Sequence, residues 1–301
     1  MSALKKALDD LLTKRDPYIA LENDPLSFVH RYKTKADQEV AAVFAAQLAY
    51  GRVSLFFPII DALLTESDIH GGPHAWVISF TQKNHERIKH IYYRLNKSPD
   101  FTLLVLGLQG ILAEFGSLHK CFSNGYHEEH PTINRALDSF VEQIATKAKQ
   151  AASQSEYLSP TLPSGFFHML ARPSSGSACK RWNLFLRWMI REEFPDLGIW
   201  KFPKNKLIIP LDTHVHQIAR MLGLCSKTTA NNKTAEEITD SLRVLDATDP
   251  IRYDFAIAHL GISGACQKQF VSHICTTCAL QLVCTIGKKN EHHPKRMDSS
   301  R

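Results

Sequence analysis

Cys266, Cys275, Cys278 and Cys284 fall within nineteen residues of one another, in the pattern C-x8-C-x2-C-x5-C. Four thiols so close in sequence can complete the coordination of one metal centre, and the loop that carries them must then close around it. The other cysteines, Cys121, Cys179 and Cys225, are scattered through apolar or helical contexts. That usage suits a reducing compartment and argues against a disulfide framework. The opening residues, Met1-Ser2-Ala3-Leu4-Lys5-Lys6, read as a charged helix rather than an apolar export segment. A zinc ribbon carries two C-x2-C pairs where this chain has one, and ferredoxin runs use other spacings. The expectation is therefore a four-cysteine metal site, holding an iron–sulfur cluster first and zinc as the alternative. His273 lies close enough in sequence to hydrogen-bond a sulfur.

A chain of 301 residues buries a large core, as one domain or two intimate ones. Its net charge of +6 fits a polyanionic partner without requiring one. No apolar run is long enough to span a bilayer, so a cytoplasmic protein with no membrane partner is expected.

The apolar spacing is helical almost throughout. Helices are expected over 4–14, 25–31 (capped by Asp24), 53–64, 73–80, 83–95, 100–115 and 132–149. Between them, Asp37 is the expected cap of a helix over 39–50. It is apolar nearly all round and so is expected at the centre of a core. The Ser- and Pro-rich stretch 151–165 reads as a connection. Beyond it, helices are expected over 166–170, 178–193 and 212–222, the last closed by Gly223. Thr234 and Glu237 form a capping-box pattern for a helix to 245, and Asp249-Pro250 opens another to about 261. The fold class is all-α.

Asp212 opens the helix Leu211-Asp-Thr-His-Val-His-Gln-Ile-Ala-Arg-Met-Leu-Gly-Leu224, whose Val215, Ile218, Ala219 and Leu222 share one face. Taken alone, the carboxylate reads as a helix cap. His214 and His216 flank it without an assigned role.

Pro-Leu-Asp-Thr-His-Val at 210–215 resembles the Val-Asp-Thr-His-Val/Ile segment of the helix-hairpin-helix DNA glycosylases. The endonuclease III branch also carries a C-x6-C-x2-C-x5-C motif downstream, similar to the cysteine loop here with two residues fewer in the first gap. Phe44-Ala-Ala-Gln-Leu48 is similar to the segment whose glutamine enters DNA. The pattern, including Cys179-Lys-Arg-Trp182, also resembles a bacterial family of conserved hypothetical proteins.

The resemblance implies two helical subdomains: a barrel over 37–170, and 1–36 with 171–288. The polar, basic composition of 289–301 reads as a disordered tail. The resemblance also implies base-excision repair by a DNA glycosylase, acting on double-stranded DNA as a monomer and associated with the nucleoid. A flipped damaged base, in particular an oxidised purine, or a mispaired base would be the substrate. Asp212 would be the catalytic carboxylate and Lys180 the amine nucleophile of a glycosylase/AP lyase. The sequence separation of 32 between Lys180 and Asp212 is that of the archaeal 8-oxoguanine glycosylases. A [4Fe-4S] cluster on the four cysteines would be structural, zinc remaining the alternative.

DNA contacts would come from Gln47, from Ser174, Ser175, Gly176 and Ser177 as an anion nest, and from Arg181 and Lys268. Lys180, Arg187 and Arg191 would form a cationic stripe. The stretch Arg172-Pro-Ser-Ser-Gly-Ser-Ala-Cys-Lys-Arg181 has one glycine where the hairpin motif has two. A non-catalytic nucleic-acid-binding protein with the same fold and cluster is the rival reading.

Overall fold

The computed structural model describes residues 2–14 and 16–289. Of the basic tail expected at 289–301, residues 290–301 lie outside the described residues. The described residues form seventeen α-helices, two short 3-10 turns and one two-stranded hairpin. The chain is thus largely helical, and it divides into two compact units. One is Pro17–Ile208; the other gathers the described residues of Met1–Asp16 and Ile209–Arg301. These boundaries differ from the expected ones at 37 and 170. Residues 171–208 join the larger unit because the helix Lys180–Ile190 packs along Lys35–Leu48.

In the larger unit, Lys35–Leu48 is the core helix, with every residue from Glu39 to Leu48 buried. Its cap is Thr34, whose Oγ1 accepts the Asp37 N–H at 3.1 Å. Asp37, the expected cap, sits in the first turn, and its Oδ1 accepts the His74 N–H. The glutamate that opens the buried stretch is itself internal. Glu39 Oε1 accepts Trp200 Nε1–H at 2.7 Å and Oε2 accepts the Leu118 N–H at 3.0 Å. Burial raises its carboxyl above the ordinary range.

The longest helix of this unit, Asn134–Gln154, packs on Ser98–Phe115. Gly107 permits the approach, because a Cβ there would stand 2.8 Å from the Ile144 carbonyl oxygen. Phe122, Phe140, Trp182, Phe185 and Trp200 form a continuous ring cluster beside them.

The expected helix over 83–95 stops early. Only Gln82–Ile88 is helical, and a hairpin follows with Tyr92 opposite Lys97 and Tyr93 opposite Asn96. Aromatic residues favour extended backbone, and the inward pair is anchored. Tyr50 Oη donates to the Tyr93 carbonyl and to Asn96 Oδ1, and Asn96 Nδ2 donates to the Gly165 carbonyl.

In the smaller unit, Ala3–Thr13 buries Leu8 and Leu11, and Tyr253 Oη donates to Asp9 Oδ1 at 2.9 Å. The helices Thr213–Met221, Asn232–Arg243 and Asp254–Ile262 follow. Asn231, not Thr234, caps the second of these: its Oδ1 accepts the Thr234 N–H, while Glu237 bonds the Ser226 N–H instead. Gly223 closes the first with φ +73°, as expected. Among the described residues no single helix is long and apolar enough to cross a membrane.

Candidate carboxylate site and cysteine cavity

Asp212 is the N-cap of Thr213–Met221, half-buried, with extended backbone. Its Oδ1 accepts the Val215 N–H at 2.8 Å and its carbonyl accepts the His216 N–H at 2.9 Å. Among the described residues Oδ2 accepts no hydrogen bond. The carboxylate therefore caps the helix, as the residue pattern alone implies, and keeps one oxygen for another partner.

The opposite end of the same helix meets the cysteine loop. Ile218, Met221 and Leu222 line a small cavity of about 40 Å³ together with Cys266, Cys275, Cys278 and Cys284. Thr213–Met221 packs closely on Asp254–Ile262: a Cβ on Gly261 would stand 2.6 Å from the His214 Cβ. The loop leaves that second helix with the Cys266 N–H bonded to the Leu260 carbonyl. It returns to the Asp212 helix through Lys268, whose Nζ donates to His214 Nδ1 at 2.9 Å. Lys268, expected on DNA, is thus half-buried and tied to its own unit.

Three observations bear on whether the donor set suits a metal centre. All four thiols border one cavity. Two of them already accept backbone N–H groups, Cys275 from Val271 and Cys278 from Leu280, each at 3.4 Å. Bonds of this kind to sulfur stabilise thiolates that ligate metal. Burial pushes the Cys278 thiol up, and the other three cysteines reinforce that shift. A cation among them reverses that repulsion. Among the described residues no three His, Cys, Asp or Glu side chains converge at ligand distance, so the thiols must turn inward to close on an ion. The four thiols offer the donor chemistry of a four-thiolate centre, but as placed they do not converge on one. His273, expected to bond a sulfur, is exposed; no residue spacing marks the backbone donors Val271 and Leu280 that reach sulfur instead.

Residues 24–263 match the family described as Protein of unknown function (DUF2400). The chain belongs to the DUF2400 family. Neither a curated protein nor a solved structure matches it. The matched stretch of this DUF2400 protein includes Asp212 and ends before Cys266.

The residues expected on DNA in the larger unit of the DUF2400 chain are mostly internal. Arg187 is 2% exposed and Arg191 5%, and both clamp the buried Asp196. Arg187 Nε donates to Asp196 Oδ1 at 3.1 Å and Arg191 Nη1 to Oδ2 at 2.5 Å. They form an ion cluster inside the unit, not an outward stripe. The helical spacing that aligned them carries no information about which face is buried.

Arg181 is buried as well. Its guanidinium donates to the carbonyls of Gln47 and His168 and lies over the Tyr50 ring. Burial lowers its pKa to about 10. Gln47, expected to enter DNA, is completely buried. Burial and the Arg181 charge together depress His168 to about 4.

The expected anion nest is also changed. Pro173–Ser175 is a 3-10 turn, and Gly176 follows it in the left-handed region at φ +80°. Ser174 gives both its N–H and its Oγ–H to Asp138 Oδ1. Ser175 and Gly176 N–H groups are spent on the carbonyls of Arg172 and Pro173. The Ser177 Oγ accepts the Cys179 N–H. A half-buried carboxylate of the chain itself thus takes the place expected for a phosphate. Lys180 is the first residue of its helix, and its Nζ donates to the Ala49 carbonyl at 2.9 Å.

Proposed function

We propose that this protein is a DNA base-excision glycosylase of the helix-hairpin-helix kind, with a structural [4Fe-4S] cluster on Cys266, Cys275, Cys278 and Cys284. The observation that carries the reading is that Asp212 caps the helix whose far end lines the cavity of all four cysteines. When bound, the cluster fixes the loop, and its role is structural rather than catalytic.

Asp212 acts as a base leaves the sugar C1′ with the electron pair of its bond. The free Oδ2 stabilises the positive charge that develops at C1′. In the bifunctional version Lys180 forms a bond from Nζ to C1′ and passes to a Schiff base, which permits strand cleavage. Lys180 must release the Ala49 carbonyl and lose a proton before it attacks. Double-stranded DNA is the partner, bound by a monomer, and an oxidised purine is the favoured lesion.

A second reading, a non-catalytic nucleic-acid-binding protein, is favoured by the Asp138 carboxylate seated in the Ser174 turn. The two separate in one experiment. Purified protein is incubated with duplexes carrying oxidised, deaminated, alkylated or mismatched bases, and borohydride is added. Base release and a trapped covalent complex support the bifunctional glycosylase; binding with no base release supports the binder.

A further inference from the structure

A second cavity, of about 400 Å³, opens in the larger unit beside the hairpin and the start of the Ser98–Phe115 helix. That volume is in the range of pockets that hold small organic ligands. Its wall includes Lys89, His90, Tyr92, Arg94, Lys97 and Ser98. Three permanent cations border one space, which is unfavourable until an anion enters.

Two carboxylates lie nearby. Glu86 pairs with Lys89 at 3.2 Å across an exposed contact. Asp100 is buried and accepts the N–H groups of Lys97 and Phe166, with the Lys97 charge acting on its carboxylate. Burial raises its carboxyl above the ordinary range. Among the described residues neither Arg94 nor Lys97 is in salt-bridge contact with a carboxylate.

The backbone sets the cavity up. Alternation in the hairpin turns Tyr93 and Asn96 inward and leaves Tyr92 and Lys97, which face each other across the strands, on the outer side. Tyr92 is 71% exposed, a large apolar ring at the edge of a cationic pocket. Ser98 is 4% exposed, and its Oγ has no hydrogen-bond partner. A buried hydroxyl without a partner is costly unless something completes it. Ser98 also begins an 18-residue helix, so the positive end of that helix faces the same space.

We infer that this cavity binds a nucleotide phosphate, held by Lys89, Arg94, Lys97 and Ser98 at the helix start, with the base stacked on Tyr92. Aromatic stacking combined with cationic phosphate contacts is the general chemistry of nucleotide-unit recognition. The site draws on neither Asp212 nor the cysteines, so it stands or falls independently of base excision.

Titration calorimetry of the full chain at low salt tests it with dAMP, deoxyadenosine, inorganic phosphate and a single-stranded oligonucleotide with or without a 5′-phosphate. dAMP is expected to bind, and deoxyadenosine to bind about tenfold or more weakly, the loss of one charge-assisted contact. Lys97→Ala and Ser98→Ala should each weaken dAMP, while the distant exposed Lys201→Ala should not. Tyr92→Ala should weaken dAMP and spare inorganic phosphate. A phosphorylated strand that binds far more tightly than dAMP assigns the site to a strand end, and equal binding assigns it to the free nucleotide; either supports the inference. No dAMP binding at millimolar concentration, or dAMP affinity unchanged in folded Lys97→Ala and Ser98→Ala, overturns it.

Discussion

Replacing Asp196 by alanine should be among the most damaging single changes in the larger unit. The carboxylate is completely buried and holds two guanidinium groups that are themselves almost fully buried. Removing it leaves two cations in a low-dielectric interior with their main counter-charge gone. Breaking a buried ion pair from one side costs about 3–5 kcal/mol. Domains are stable by only about 5–15 kcal/mol in total. At a urea dependence of about 2–3 kcal/mol per molar, the midpoint should fall by roughly 1–2.5 M.

Tryptophan fluorescence is a selective assay, because all four tryptophans, Trp76, Trp182, Trp188 and Trp200, belong to the Pro17–Ile208 unit. Replacing the three charged residues together by apolar ones of similar size should recover much of the loss, since the desolvation cost disappears with the charges. A midpoint for Asp196→Ala equal to wild type, within about 0.5 kcal/mol, would refute the buried cluster. It would return Arg187 and Arg191 to the surface, where a DNA-facing stripe needs them.

Further outcomes follow from the same geometry. His168 titrates near 4 in the folded protein and near 6.5 when unfolded. Between those values the unfolded chain binds the proton and the folded one does not, so stability falls as pH drops through that window; His168→Gln should flatten the acid limb of the fluorescence Tm profile. Anaerobically purified protein should be brown, with about four irons and acid-labile sulfide per chain. Cys278→Ser should lose the colour and solubility, whereas colourless protein with one zinc rejects the cluster. Asp212→Ala should lower stability by about 0.5–2 kcal/mol as a lost cap, and Asp212→Asn by much less; equal losses in circular-dichroism melts contradict the capping role.

Much of the scaffold was legible because local signals dominate it. The apolar run around Val40–Leu48 could only be a central helix, and Gly223 marked a helix end. Asp212 could be placed as a cap from its position before an apolar face. What was not legible depended on tertiary partners. Lys180, Arg187 and Arg191 share a helical stripe, but the carboxylate that turns that stripe inward sits at Asp196, beyond the helix. The charge of Arg181 gives no hint that the carbonyls of Gln47 and His168 will enclose it. The hairpin at Tyr92–Lys97 was hidden inside a helical pattern because its anchors, Tyr50 and Gly165, are far away in sequence. The Ser174 turn looked open to phosphate until Asp138 closed on it.

The most direct measurement is release of a base from lesion-bearing duplexes by wild type and by Asp212→Asn, run beside a DNA-binding assay on both. Asparagine keeps the cap, so the fold and DNA affinity should persist. The charge opposite C1′ is lost, a preorganised contribution of about 3–4 kcal/mol, or on the order of a few hundredfold in rate. The account predicts release by wild type on at least one lesion, reduced by that factor or more in Asp212→Asn with binding unchanged. Release that is absent from wild type on every lesion, or that proceeds equally in the variant, contradicts it.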